Sequence, residues 1–168
     1  MAASADLVAL RKAFGTFVTG VTIVTTVDSE GHPWGFTANS FTSVSLDPPL
    51  VLVCLACTAS SYPKFLAAEK FAINILAEEQ RSLANRFASK RPDKFSGVEW
   101  RAATNGAPLL DGATTLLSCS VHNKVEAGDH LILVGRVLEF EQAPRTPLGY
   151  FSGNFVSLSL EKQSIEVV

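Results

Sequence analysis

Gly35-Phe-Thr-Ala-Asn-Ser-Phe-Thr-Ser-Val-Ser-Leu-Asp-Pro-Pro49 runs straight into the apolar stretch Leu50-Val-Leu-Val-Cys-Leu-Ala-Cys57. From Thr37 to Ser45, six of nine side chains are Ser, Thr or Asn, and a proline pair ends the run. The apolar stretch reads as a strand buried on both faces. A dense set of small neutral donors beside such a strand can hold the polar edge and phosphate of a flat aromatic ligand. Taken alone, the same residues also read as a polar strand end.

Upstream, Val21-Thr-Ile-Val-Thr-Thr-Val27 is β-branched, Asp28-Ser-Glu-Gly-His-Pro33 has turn composition, and Trp34–Asn39 resumes a strand, so 21–39 is expected to form a hairpin. Residues 6–17 place Leu7, Leu10, Phe14 and Phe17 on one helical stripe. Downstream, Thr58-Ala-Ser-Ser61 before Tyr62-Pro63 is helix-start chemistry, with Ser60 or Ser61 as cap. Phe71–Leu76 is a short strand, and 78–88 a helix with acids in its first turn. Leu117–His122 alternates with Leu117, Cys119 and Val121 inward. His130–Phe140 is a long strand in which Gly135 marks a bulge or bend. Residues 89–113 are irregular, and 144–155 is a loop carrying Tyr150, Phe151 and Phe155.

Six or seven strands with about three short helices, and no regular strand–helix alternation, predict a mainly antiparallel barrel or sandwich with peripheral helices. The 168 residues suit one domain spanning 1–168. With 47% apolar and 18% charged residues the chain can build a sizeable core. A net charge of −2 argues against nucleic acid as the main partner. No stretch is long enough to span a bilayer and the N-terminus lacks a secretion signal, so a cytoplasmic protein is expected, away from the membrane. Three cysteines suggest no disulfide framework. Cys54 and Cys57, three apart on a strand, point to opposite faces and read as buried thiols. The three histidines are not spaced as metal ligands, and no metal is expected.

The chain lacks G-x-G-x-x-G and G-x-x-x-x-G-K, so any nucleotide phosphate must be held by hydroxyls, backbone N–H groups and helix starts. Thr37–Ser40 with Ser43 and Ser45, and Thr58–Ser61, are the two segments that offer this. The clustered cations Arg86, Lys90, Arg91, Lys94 and Arg101 read first as a solvated face and second as an attraction for anionic dinucleotides.

Five blocks in order, Phe14-Gly-Thr-Phe-Val-Thr-Gly-Val-Thr-Ile-Val-Thr25, Gly35–Pro49, Phe71-Ala-Ile-Asn-Ile-Leu76, Gly128-Asp-His130 and Tyr150-Phe-Ser-Gly153, resemble the short-chain flavin reductases, the reductase components of two-component flavin monooxygenases. The likeness covers residues 8–158. It implies an FMN-binding split β-barrel, antiparallel and Greek-key-like, usually a homodimer, that oxidises NADH or NADPH and reduces FMN or FAD. The reduced flavin then passes to a partner monooxygenase.

By this resemblance Thr37, Ala38, Asn39 and Ser40 bracket the flavin ring edge, with Cys54 in the cofactor-binding set. Ser43, Ser45, Thr58, Ser60 and Ser61 lie near the ribityl chain and phosphate. Lys90 reaches the phosphate or the adenylate half of FAD, or is a solvated lysine. Gly128, Asp129 and His130 face the nicotinamide, His130 as the catalytic candidate. Tyr150 and Gly153 close over the dinucleotide. Two other readings of the same barrel stand beside this one: a flavin-retaining electron carrier or binding protein, and an oxidase of the pyridoxamine phosphate type.

Overall fold

The computed structural model describes residues 4–159. In chain order its elements are α1 (Ser4–Phe14), β1 (Thr19–Gly20), β2 (Thr22–Val27), β3 (Pro33–Ala38), β4 (Thr42–Leu46), β5 (Pro49–Ala56), α2 (Tyr62–Ala67) and β6 (Lys70–Ile75). A 3-10 turn at Glu78–Gln80 leads into α3 (Arg81–Ala88). Then follow β7 (Trp100–Ala102), β8 (Pro108–Leu110), β9 (Thr115–Ala127), β10 (His130–Gln142), β11 (Gly149–Phe151) and β12 (Asn154–Val156). No helix among these residues is long and apolar enough to cross a membrane.

Seven strands form one antiparallel sheet in the order β3-β2-β6-β9-β10-β5-β4. The expected hairpin is present, with Ile23 opposite Thr37 and Thr26 opposite Trp34. The sheet curls until the end of β3 meets β5. There the Ser40 hydroxyl accepts from the Cys54 N–H at 2.9 Å and donates to the Cys54 carbonyl at 3.3 Å. This side-chain clasp closes two strands that share no backbone ladder. The result is a mainly β split barrel with few helices.

The interior holds Val24, Phe36, Val53, Leu55, Phe65, Phe71, Ile73 and Leu133. Phe36 and Phe65 meet edge to face at 4.9 Å between centroids. Gly135 is required by this packing: a Cβ there would come 2.3 Å from Phe71 Cζ and 3.0 Å from Cys119 Cβ. The ladder between β9 and β10 shifts register between Val134 and Gly135, the expected irregularity. Asn74, fully buried on β6, satisfies the frame: its amide donates to the Ile23 carbonyl at 2.9 Å and its oxygen accepts from the Leu110 N–H at 2.7 Å.

Several expectations are corrected. β5 alternates, with Val51, Val53 and Leu55 inside and Leu50, Leu52, Cys54 and Ala56 half-buried, because only one face meets the barrel interior. Cys54 and Cys57 are therefore half-buried free thiols; Cys119 is buried, and burial pushes its pKa up to about 12. The α1 stripe does not enter the core: Leu7, Leu10, Phe14 and Phe17 are all exposed, Phe17 by 77%. Ser61 holds the cap position of α2, yet its hydroxyl makes no cap bond. Residues 89–113 contain the β7–β8 hairpin, and the expected 144–155 loop holds β11 and most of β12, which join β1 in a three-stranded sheet.

Candidate functional site

The wall Thr37-Ala38-Asn39 divides one cleft into two lobes. β3 places it at the edge of the sheet, and α3 packs beside it. The Thr37 hydroxyl donates to the Ala84 carbonyl of α3 at 2.6 Å. Gly35 lets the Phe87 ring lie against β3, where a Cβ would meet that ring at 2.8 Å.

One lobe, of about 480 Å³, is lined by Ser40, Cys54, Thr58, Ser60, Ser89, Lys90, Lys94 and His130 besides the shared wall. Its polar groups divide into two sets. The Ser40 hydroxyl is engaged by Cys54, and Ser89 donates to the Arg86 carbonyl at 2.7 Å. Lys94 donates to the Phe87 carbonyl at 2.9 Å, at the C-terminal end of α3, and burial lowers its pKa. The side chains of Asn39, Thr58, Ser60 and Lys90 have no partner among the described residues, so they remain open to a ligand. Arg91, just outside, is neutralised by Asp93 through bonds of 3.0 and 2.8 Å. Among the described residues, Lys90 is thus the free cation at this rim.

His130 starts β10, and its Nδ1 lies 2.6 Å from Asp129 Oδ1. That bond, with the His130 charge, holds the Asp129 carboxyl below the usual carboxylate range. Nε2 of the ring carries no such bond. The turn before it needs Gly128, whose φ is +62°. The Cys57 N–H donates to the Asp129 carbonyl at 2.9 Å and fastens this turn to the end of β5.

The second lobe, of about 760 Å³, is lined by Arg11, Phe14, Phe17, Thr19, Val21, Asn85, Tyr150, Gly153 and Phe155 besides the wall. Tyr150 packs on Phe155 at 5.7 Å between centroids.

The structure gathers Thr37, Ala38, Asn39, Ser40, Cys54, Thr58, Ser60, Lys90 and His130 around the first lobe, and Tyr150 and Gly153 in the second. His130 and Tyr150 therefore border different lobes. Gly128 and Asp129 support the turn without lining the cleft. Ser43 and Ser45 do not reach it: they lie on the edge strand β4, opposite Val51 and Leu50. Ser61 turns inward, and its buried hydroxyl has no partner. The hydroxyls of Thr37 and Ser40 are framework bonds, so the wall offers a ligand its backbone and the Asn39 amide.

Sequence reasoning missed Arg11, Phe14, Phe17, Thr19 and Asn85 as lining residues. The helical stripe was visible in 6–17, but a stripe does not distinguish a core face from a cavity wall.

Residues 14–159 match the model of the flavin reductase like domain. The chain belongs to the flavin reductase-like family. It is 50% identical over 152 residues to the stachydrine N-demethylase reductase subunit of Rhizobium meliloti, covering 90% of this chain and 66% of that one. It is 48% identical to the reductase component of the flavin-dependent trigonelline monooxygenase of Acinetobacter baylyi, covering 95% of this chain and 51% of that one. The chain thus spans between half and two thirds of these relatives. Among solved structures, the NADH:FAD oxidoreductase of Streptomyces globisporus in complex with NAD and FAD fragments shares 39% identity at a TM-score of 0.89, covering 97% of this chain and 99% of that one.

Proposed function

We propose that the chain is a flavin reductase that oxidises NADH, reduces FMN or FAD, and releases the reduced flavin to a flavin-dependent monooxygenase. The observation that carries this reading is the pair of lobes meeting on one strand wall. Two flat ligands can be brought face to face there without a protein acid or nucleophile. The names of the relatives, reductase components of monooxygenases and an NADH:FAD oxidoreductase, support it.

The free polar groups suit a flavin. Thr58, Ser60 and Lys90 offer two hydroxyls and one cation for its phosphate, and Asn39 and the wall backbone offer donors for its polar edge. A bound flavin would supply the redox chemistry as the acceptor of a hydride from reduced nicotinamide, with one proton taken from solvent. The chain's own residues bind, orient and exclude water. Backbone N–H groups aimed at a ring edge stabilise negative charge as it develops. His130, its ring oriented by Asp129, offers Nε2 at the edge of the flavin lobe. Tyr150 and Gly153 wall the dinucleotide lobe. Mostly neutral contacts to the flavin keep the grip moderate, which suits a flavin that must leave.

In this reading the chain acts as one domain and draws on cytoplasmic NADH. Leu46 (92% exposed) on edge strand β4, with Val44 and Phe140, favours a homodimer.

Purified protein supplied with excess flavin tests the proposal, crossing FMN and FAD with NADH and NADPH. Many flavins reduced per protein chain is the expected result. Reduction of a single retained equivalent would assign the chain to the electron carriers instead.

A further inference from the structure

The larger lobe has one charged lining residue, Arg11, among fourteen. It comes from α1, outside the barrel. No carboxylate or carbonyl among the described residues engages its guanidinium. An unpaired guanidinium on the wall of a cavity with aromatic sides is built to take an anion, and its planar fork matches phosphate oxygens.

A second polar group points the same way. Thr19 lines the same lobe, and its Oγ1 is buried with no partner. Leaving a buried hydroxyl unpaired is costly, and a ligand acceptor would satisfy it. Phe14 and Phe17, 70% and 77% exposed, add flat apolar surface at the mouth.

The side chain of Arg11 is exposed, and its backbone is tied to the rest of the fold. The Gly15 N–H donates to the Arg11 carbonyl at 3.0 Å, and the Gly15 carbonyl accepts from the Ser152 N–H at 2.8 Å. One bond chain thus joins Arg11 to the β11–β12 turn that carries Gly153. The other lobe has its own free cation in Lys90. The cleft therefore presents two separated anion contacts, one for each of two phosphate-bearing ligands.

We propose that Arg11 of α1, together with the Thr19 hydroxyl of β1, binds the pyrophosphate of the reduced nicotinamide dinucleotide, so that α1 contributes directly to affinity for this substrate. The assignment rests on the flavin-reductase reading for the identity of the ligand.

Arg11→Gln and Arg11→Lys test it, with two readouts: steady-state kinetics, and NADH binding followed by fluorescence without turnover. Arg11→Gln is expected to weaken NADH binding about three- to tenfold, the loss of one charge-assisted contact from an exposed side chain. The loss falls on KM for NADH rather than on kcat, and flavin affinity stays within about twofold. Arg11→Lys recovers part of it. The salt dependence of kcat/KM for NADH becomes shallower in Arg11→Gln. Unchanged NADH binding, or an equal loss of flavin affinity, would overturn the assignment. If the wild-type protein binds NADH but reduces no flavin, the reductase reading fails; a binding loss in Arg11→Gln would still uphold Arg11 as the dinucleotide contact.

Discussion

The barrel interior and the cleft wall lie on the same strands yet are built by opposite rules. Inside, Phe71 fills the space left by Gly135, Cys119 is sealed, and Asn74 has its bonding satisfied within the frame. At the cleft, Asn39, Ser60 and Lys90 are solvent-facing and have no partner among the described residues. β10 itself makes the transition, from His130 at the cleft to Gly135 in the core. The difference predicts that stability and, in the proposed function, ligand affinity are carried by separate residues, joined by a few framework bonds such as Ser40 to Cys54. Substitutions can break that separation or sharpen it.

The largest expected effect is in the core. Phe71→Ala should cost about 3–5 kcal/mol of stability, since the cavity beneath Gly135 has little to refill it. Denaturant unfolding measures this. Flavin affinity of the folded fraction should hold; a parallel loss would mean the two regions are coupled.

Asn39→Asp should do the reverse. A carboxylate at the shared wall is expected to lower flavin affinity about tenfold, roughly 1.4 kcal/mol. Stability should change by no more than about 0.5 kcal/mol. Fluorescence titration with FMN and FAD reads the first, thermal unfolding the second. Unchanged affinity would remove Asn39 from the site.

Lys90→Ala should lower flavin affinity by a few-fold, within about 1 kcal/mol, as its ammonium is exposed. The wild-type advantage should shrink at high salt. An effect that salt does not move would point to packing instead of charge.

Much of the fold was legible because its signals are strong. The 21–39 hairpin, the strands at Leu50, Phe71, Leu117 and His130, and the irregularity at Gly135 all follow from β-branching, alternation and turn residues. β7, β8, β11 and β12 were not legible, since three-residue strands among Gly and Pro carry no period. The candidate site was marked by composition and hidden in bonding. The sequence marks Thr37 and Ser40 as polar, but only the fold reveals that their hydroxyls bind Ala84 and Cys54. Ser43, Ser45 and Ser61 share that composition and end elsewhere. Arg11 is hidden for a different reason: the cavity it lines exists only after α1 meets the β11–β12 turn.

The smallest effect concerns the junction that supports both regions. Asp28, at the β2–β3 turn, accepts from Lys64 of α2 and from Trp34 Nε1, each at 3.0 Å. These bonds hold its carboxyl well below the usual carboxylate range. Its contribution is therefore complete above about pH 4, the unfolded value, and is lost as pH falls toward the folded one. Asp28→Asn should melt below wild type at neutral pH, with the gap closing in acid. A constant gap across that window would show that the charge is not what matters.

A crystal structure of the protein with flavin and NAD tests the central claim most directly. The account predicts the flavin ring edge on the Thr37–Asn39 wall with its phosphate near Ser60 and Lys90, and the dinucleotide in the lobe of Arg11 and Tyr150. Flavin bound away from that wall, or both ligands competing for one lobe, would contradict it.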